Sequence, residues 1–208
     1  MKLFITQREE KNRYGKPIDS LEHSYLKYFQ TWDINDFVII PNNEESSDQI
    51  IKTITPSDFI VLTGGGNIGE QKNRDLVEKK LIELSMQQNT PLLGICRGMQ
   101  TINSFFGGSL VHLIEYQPQA KQHDIIILDN DWIPTTAHGK VNSYHNFLVT
   151  ANTLGKKLNV FAMSISTTTP NIECIVVPNR KIVGVQWHPE RDRLSKWVDD
   201  IIMEHLLE

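Results

Sequence analysis

Short apolar runs recur through the first half of the chain, separated by segments whose apolar positions fall three and four apart. The runs KLFIT (2–6), FVII (37–40, closed by Pro41), DFIVLT (58–63) and PLLGI (91–95) read as strands. Between them, SLEHSYLKYF places Leu21, Tyr25, Leu26 and Phe29 at helical spacing, and SSDQIIKTI predicts a helix capped by Ser46 or Ser47. DLVEKKLIELSMQ and RGMQTINSFF predict two more helices. Strands apolar throughout and alternating with helices imply βαβ units: a parallel sheet with helices on both faces.

The second half has a different pattern. HDIIIL, KVNSYHNFLVTA, NVFAMSIS, IECIVVP and KIVGVQW are closely spaced and strand-like, several of them separated by Gly, Pro or Asn. This predicts an antiparallel or mixed region extending the sheet. From Arg191 to Leu207 the spacing predicts a last helix with Leu194, Trp197, Val198, Ile201 and Ile202 on one stripe. There is no repeat, low-complexity tract or long linker, so the 208 residues are expected to form one α/β domain spanning 1–208.

Composition narrows the function. A formal net charge of −4 with no run of like charges argues against a nucleic-acid or membrane-surface partner. The opening MKLFITQREE has too short an apolar stretch for a signal peptide, and no segment is long enough to span a membrane. Two cysteines, Cys96 and Cys174, sit in unrelated contexts; a disulfide framework is not expected, and a reducing cytoplasm is. Two cysteines and scattered histidines also make a poor structural zinc site.

The candidate chemistry starts at LLGICRGMQ. A nucleophile protruding into a cleft needs a sharp strand-to-helix turn with small neighbours, and a helix N-terminus favours the anion. Gly94, Cys96 and Gly98 supply that turn in a G-x-C-x-G pattern. The competing reading is a buried packing cysteine. A thiolate needs a base, and the base an orienting group. GVQWHPE offers His188 and Glu190 across Pro189; alone it would suit a surface turn, but both motifs fall at strand ends, where open α/β sheets carry their sites. LTGGGNIG (62–69) is a third element. Glycines let a loop aim N–H groups at an oxyanion, with Gly65 or Gly66 giving one donor and the Arg97 N–H the other. A phosphate-binding loop is disfavoured because neither G-K-[ST] nor G-x-G-x-x-G is present, while a plain flexible turn stays open.

Together these stretches resemble the class I glutamine amidotransferase superfamily, and most of all its γ-glutamyl hydrolase branch, cysteine peptidases acting on γ-glutamyl amides. LTGGGNIG, PLLGICRGMQTINSFFGGSLVHL, VNSYHNF and GVQWHPE occur in the family's order across residues 62–190. The resemblance implies a flavodoxin-like, three-layer α/β/α fold with a mixed, mostly parallel sheet. It implies a Cys96–His188–Glu190 triad, a role for Gln100 in holding the γ-glutamyl group, and Tyr144 and His145 beside its α-amino and α-carboxylate groups. No metal or organic cofactor is expected. The chain departs from many members in having His145–Asn146 where they have two adjacent histidines. His145 also suits a hydrogen-bonded structural role; the other histidines and Cys174 are expected to be surface or core residues.

The expected reaction is hydrolysis of a γ-glutamyl amide through a glutamyl thioester. A glutaminase subunit feeding ammonia to a separate synthetase, a transpeptidase, a γ-glutamyl-amine hydrolase and a binding protein stay open, as does a homodimer. The opening FITQREEKNRYGKPIDSLEHSYLKYF resembles small γ-glutamyl hydrolases encoded with bacterial capsule-modification pathways, which implies γ-glutamyl-CDP-amidate as substrate and cytidine diphosphoramidate as product. Arg8, Lys11, Arg13 and Lys16 are expected in a loop after the first strand, with Arg8 the candidate phosphate contact; a solvated loop is the alternative.

Overall fold

The structure, a computed structural model, describes residues 1–112, 121–165 and 170–208. In chain order its strands are β1 (Leu3–Thr6), β2 (Arg8–Lys11), β3 (Pro17–Ser20), β4 (Phe37–Ile40), β5 (Phe59–Leu62), β6 (Leu92–Ile95), β7 (Val111–His112), β8 (Lys121–Ile127), β9 (Ala137–Ser143), β10 (Phe147–Leu148), β11 (Asn159–Ser164), β12 (Ile172–Val176) and β13 (Ile182–Val185). Its helices are α1 (His23–Gln30), α2 (Glu44–Ile51), α3 (Lys72–Gln88), α4 (Arg97–Phe105) and α5 (Lys196–Leu207).

Among the described residues, nine strands form one sheet in the order β4-β1-β5-β6-β13-β12-β11-β8-β9. The first five run parallel; β12, β11, β8 and β9 continue it antiparallel. The central parallel strands bury both faces, which is why they read as apolar runs. Their side chains alternate between two cores. Leu3, Ile5, Val61, Leu93 and Ile95 pack with Tyr25, Tyr28 and Phe29 of α1 and Val198, Ile202, Met203 and Leu206 of α5. Phe4, Ile60, Leu62 and Leu92 pack on the other face with Ile51 of α2, Val77, Leu81 and Ile82 of α3, and Met99 and Ile102 of α4. The result is the expected three-layer α/β/α arrangement on a mixed sheet, with four parallel and four antiparallel strand pairings among the described residues.

Several local expectations need correction. Asn43, not Ser46 or Ser47, caps α2: its side chain accepts the Ser46 N–H at 3.0 Å, and Glu44 and Glu45 occupy the first turn, where the helix dipole favours them. The last helix starts at Lys196, not Arg191, because Ser195 is tied to β9, accepting the Lys140 N–H at 2.6 Å and donating to its carbonyl at 2.9 Å. Leu194 and Trp197 are partly exposed, at 39% each, rather than on the core stripe, which Met203 and Leu206 complete. KVNSYHNFLVTA is not one strand; it breaks after Ser143 and resumes briefly as β10. The cations after β1 lie in a two-stranded hairpin, not a loop: β2 pairs with β3, and the Asn12 side chain closes the turn by accepting N–H groups of Tyr14 and Lys16. Leu113 and Ser166, the ends of two of the quoted stretches, lie outside the described residues.

Candidate active site

The parallel pairing of β6 with β13 sets Ile95 beside Val185, so Cys96 and the GVQWHPE segment leave the sheet side by side at the same edge. Cys96 turns the chain with φ 52° and ψ −101°, a left-handed conformation costing a non-glycine residue on the order of 1–3 kcal/mol. Its N–H is held by the Val185 carbonyl at 2.7 Å. The turn closes only because its neighbours lack side chains. A Cβ on Gly98 would lie 2.3 Å from the Leu62 carbonyl oxygen, and one on Gly94 2.6 Å from the Gly98 backbone.

His188 is almost fully buried, and its Nδ1 bonds Glu190 Oε1 at 2.6 Å. Its backbone is fixed by one side chain: Asn142 Oδ1 accepts the His188 N–H at 2.8 Å and Asn142 Nδ2 donates to its carbonyl at 2.8 Å. The imidazole lies over Gly64, where a Cβ would meet His188 Cε1 at 2.7 Å and Cys96 Cβ at 3.4 Å. Burial disfavours charge on His188, but the Cys96 sulfur and then the Glu190 carboxylate, both attracting and hydrogen-bonding it, outweigh burial and raise its pKa from 6.5 to about 10. Tyr144 meets the imidazole edge-on, with ring centroids 5.5 Å apart.

Gly65 and Gly66 both have positive φ, which glycine adopts without strain. The loop is held from behind. Arg74, fully buried on α3, donates to the carbonyls of Thr63 at 2.6 Å, Gly64 at 3.2 Å and Gly65 at 2.7 Å. Tyr25 Oη accepts the Gly64 N–H at 2.9 Å. The Arg97 N–H sits in the first turn of α4, where backbone donors have no helical acceptor.

A cleft of about 240 Å³ opens here, lined among others by Arg8, Gly65, Cys96, Arg97, Gln100, Tyr144, His145 and His188. Every predicted site residue except Glu190 thus lines one cleft, and Glu190 stands behind His188. Gln100 Nε2 reaches the Phe147 carbonyl at 3.3 Å, and His145 Nδ1 meets the same carbonyl at 3.1 Å. Burial lowers the His145 pKa, which favours its neutral form. Of the four hairpin cations only Arg8 reaches the cleft; Lys11, Arg13 and Lys16 are exposed. Among the described residues no cluster of His, Cys, Asp and Glu could hold a metal. A larger cavity, about 670 Å³, lies beyond the opposite ends of β6 and β13, near Asn89 and Lys181, and no cysteine lines it among the described residues.

Several contributors carry little or no mark in the sequence. Gln186, fully buried, donates toward Cys96 Sγ at 3.7 Å and accepts from Gln100 at 3.4 Å. Arg191 lines the cleft and shares Glu22 with Arg8, at 3.1 Å and 2.8 Å respectively. Its guanidinium also lies 4.4 Å from the Tyr144 ring centre. Gln186 and Asn142 could have been singled out as polar residues within or beside apolar strand ends; Glu22 and Arg74 carry no such signal.

On this fold a thiol at a strand-to-helix turn thus stands beside a histidine–glutamate pair and a glycine loop. The peptidase C26 profile matches residues 5–190, and the chain belongs to that family. It is 28% identical over 199 residues to the γ-glutamyl-CDP-amidate hydrolase of Campylobacter jejuni subsp. jejuni serotype O:2, covering 92% of this chain and 91% of that protein. It is 32% identical over 152 residues to a subunit of the glutamine-hydrolysing GMP synthase of Pyrococcus abyssi, covering 73% of this chain and 74% of that one. The fold matches a glutamine amidotransferase from Thermotoga maritima with a TM-score of 0.63 at 20% identity, over 98% of this chain and 83% of that one.

Proposed function

We propose that the chain hydrolyses a γ-glutamyl amide through a glutamyl thioester on Cys96. The observation that carries this reading is the strained Cys96 turn held against a buried His188–Glu190 pair. Cys96 sulfur attacks the δ-carbonyl, and the N–H groups of Gly65 and Arg97 receive the developing oxyanion. The C–N bond breaks as His188, charged at neutral pH, protonates the leaving nitrogen. Formation of the C–S bond, before the C–N bond breaks, ends the sulfur's attraction for the ring, the first of the two that raise the His188 pKa, so the imidazolium gives up its proton when the leaving group needs it. Neutral His188 then takes a proton from water, the hydroxide adds to the thioester, the C–S bond breaks and glutamate departs. Glu190 keeps the imidazole oriented and stabilises its charged form. Gln100, Tyr144 and His145 line the wall on which the glutamyl group rests.

The substrate we favour carries a phosphorylated leaving group, with γ-glutamyl-CDP-amidate giving cytidine diphosphoramidate for capsule modification in the cytoplasm. The similarity to the Campylobacter jejuni hydrolase along nearly the whole chain supports this, as do Arg8 and Arg191 at the mouth of the cleft. A second reading, a glutaminase subunit serving a separate synthetase, draws on the similarity to the Pyrococcus abyssi GMP synthase.

Glutamate release from γ-glutamyl-CDP-amidate, γ-glutamyl amines and glutamine, the last with and without candidate synthetases, separates these readings. The nucleotide phosphoramidate is expected to lead in kcat/KM; preference for an amine would move the protein to amine catabolism. Cys96→Ala is expected to abolish release and the glutamyl adduct seen by mass spectrometry, while Cys174→Ala keeps most activity. His188→Ala should cost roughly 10²–10⁴-fold and Glu190→Gln less, because glutamine still accepts a hydrogen bond from the ring. The reverse order would exchange the roles given to the pair.

A further inference from the structure

We propose that Glu78, which does not line the cleft, is a positioning residue that sets both oxyanion donors from one carboxylate. The proposal rests on reading the N–H groups of Gly65 and Arg97 as those donors. They come from separate segments, and stabilising an oxyanion demands that both point at one spot. Three consecutive glycines have no side chains with which to fix themselves, so something outside the loop must. Arg74 does this by gripping three of its carbonyls, and Arg74 Nε in turn bonds Glu78 Oε1 at 2.8 Å. The second donor residue answers to the same group: the Arg97 guanidinium bonds Glu78 Oε2, with its other end on Asp75.

The remaining capacity of Glu78 is also used. Thr6 Oγ1 donates to Oε1 at 3.2 Å and Thr101 Oγ1 to Oε2 at 3.0 Å. Arg74 and Glu78 are fully buried and Arg97 almost so. Burial pushes the Glu78 carboxyl up, but Arg97 and Arg74 outweigh it and hold the group below the usual carboxylate range, hence ionised. Apolar side chains of similar volume would stabilise such a site at lower desolvation cost. What they cannot supply is a directional hold on three carbonyls and on the residue after the nucleophile, with one carboxylate fixing the distance between the two.

Two reactions of Cys96 separate positioning from plain stability. Acylation by p-nitrophenyl acetate passes through an oxyanion: the S–C bond forms, the ester C–O bond breaks, and p-nitrophenolate leaves without needing a proton. Alkylation by iodoacetamide forms S–C and expels iodide with no oxyanion. Cys174, fully buried, is expected to stay out of both, which peptide mapping checks. In Glu78→Gln the acylation rate should fall roughly 10²-fold, about the effect of losing one oxyanion donor, with alkylation within twofold of wild type. Asp75→Asn, at the partly exposed end, should show the same split at smaller size, and it decides the matter if Glu78→Gln does not fold. Parallel loss of both reactions, or no loss of acylation in the folded variants, overturns the proposal. Because p-nitrophenyl acetate has no glutamyl group, wild type that acylates with it but cleaves no γ-glutamyl amide defeats the substrate reading alone. Wild type that alkylates but does not acylate defeats the oxyanion reading and this proposal together.

Discussion

Two arginine–carboxylate clusters flank the same cleft, and they differ in almost everything but composition. Behind the glycine loop, Arg74, Glu78 and Arg97 are shut away from water. At the mouth, Arg8 and Arg191 share Glu22, with each side chain about a third exposed at 31%, 29% and 35%. In the first cluster every strong bond ends on another fixed group, so its geometry has one solution. In the second, water can replace any partner, so a guanidinium can exchange its carboxylate for a ligand at little cost. The same residue types thus serve as scaffold or as contact surface depending on whether solvent reaches them.

The sharpest way to break this contrast is to remove one carboxylate from each. Glu78→Ala leaves the buried Arg74 guanidinium with no carboxylate and Arg97 with Asp75 alone, and should lower unfolding free energy by about 3–5 kcal/mol in urea titrations. Glu22→Ala should change it by about 0–1 kcal/mol. Equal losses would erase the distinction.

His188 lies between the clusters and reports on the cleft itself. Its raised pKa means that the folded state holds a proton the unfolded chain releases above about pH 6.5. The stabilisation is fully present below that pH and is lost as pH rises through about 10. Melting temperatures should therefore fall between pH 7 and pH 10, and less steeply in Cys96→Ala, where one attraction is gone. Imidazole NMR should show the His188 pKa in that variant moved down toward the ordinary value. An unchanged titration would mean the sulfur does not act on the ring.

Smaller effects belong to the mouth. Arg8→Ala or Arg191→Ala should raise KM for a phosphorylated γ-glutamyl substrate by about tenfold, near the value of one charged hydrogen bond, and leave glutamine turnover and melting temperature nearly unchanged. Smallest of all, raising ionic strength from about 0.05 to 0.5 M should raise that KM a few-fold by screening exposed charges, with no parallel change in the acylation rate of Cys96 by a neutral ester.

The parallel half of the sheet was legible because strands buried on both faces must be apolar throughout, and Gly-x-Cys-x-Gly marks a turn that few other residues can make. The proposed catalytic trio and its cleft followed from local motifs of this kind. The antiparallel half was harder. Exposed residues interrupt β9, and a bulge between Val160 and Met163 shifts the register of β11 against β12. The supports of the site were mostly not legible. Arg74 and Glu78, four apart on a polar helix, read like any surface ion pair, and only the distant Arg97 turns them into a buried network. Asn142 meets His188 through a contact between residues far apart, for which a single sequence carries no periodic sign.

The pairing of β6 with β13 also governs when the protein becomes reactive. Bringing together segments so distant in sequence incurs a large loop-closure entropy and belongs to the slow part of folding. Until that pair zips, Cys96 is an ordinary cysteine with no imidazole beside it. A nascent or stalled chain is therefore chemically quiet toward amides, and the thiol is armed by the same event that completes the sheet. Followed through a refolding experiment, the reactivity of this sulfur would report the moment at which β6 and β13 join.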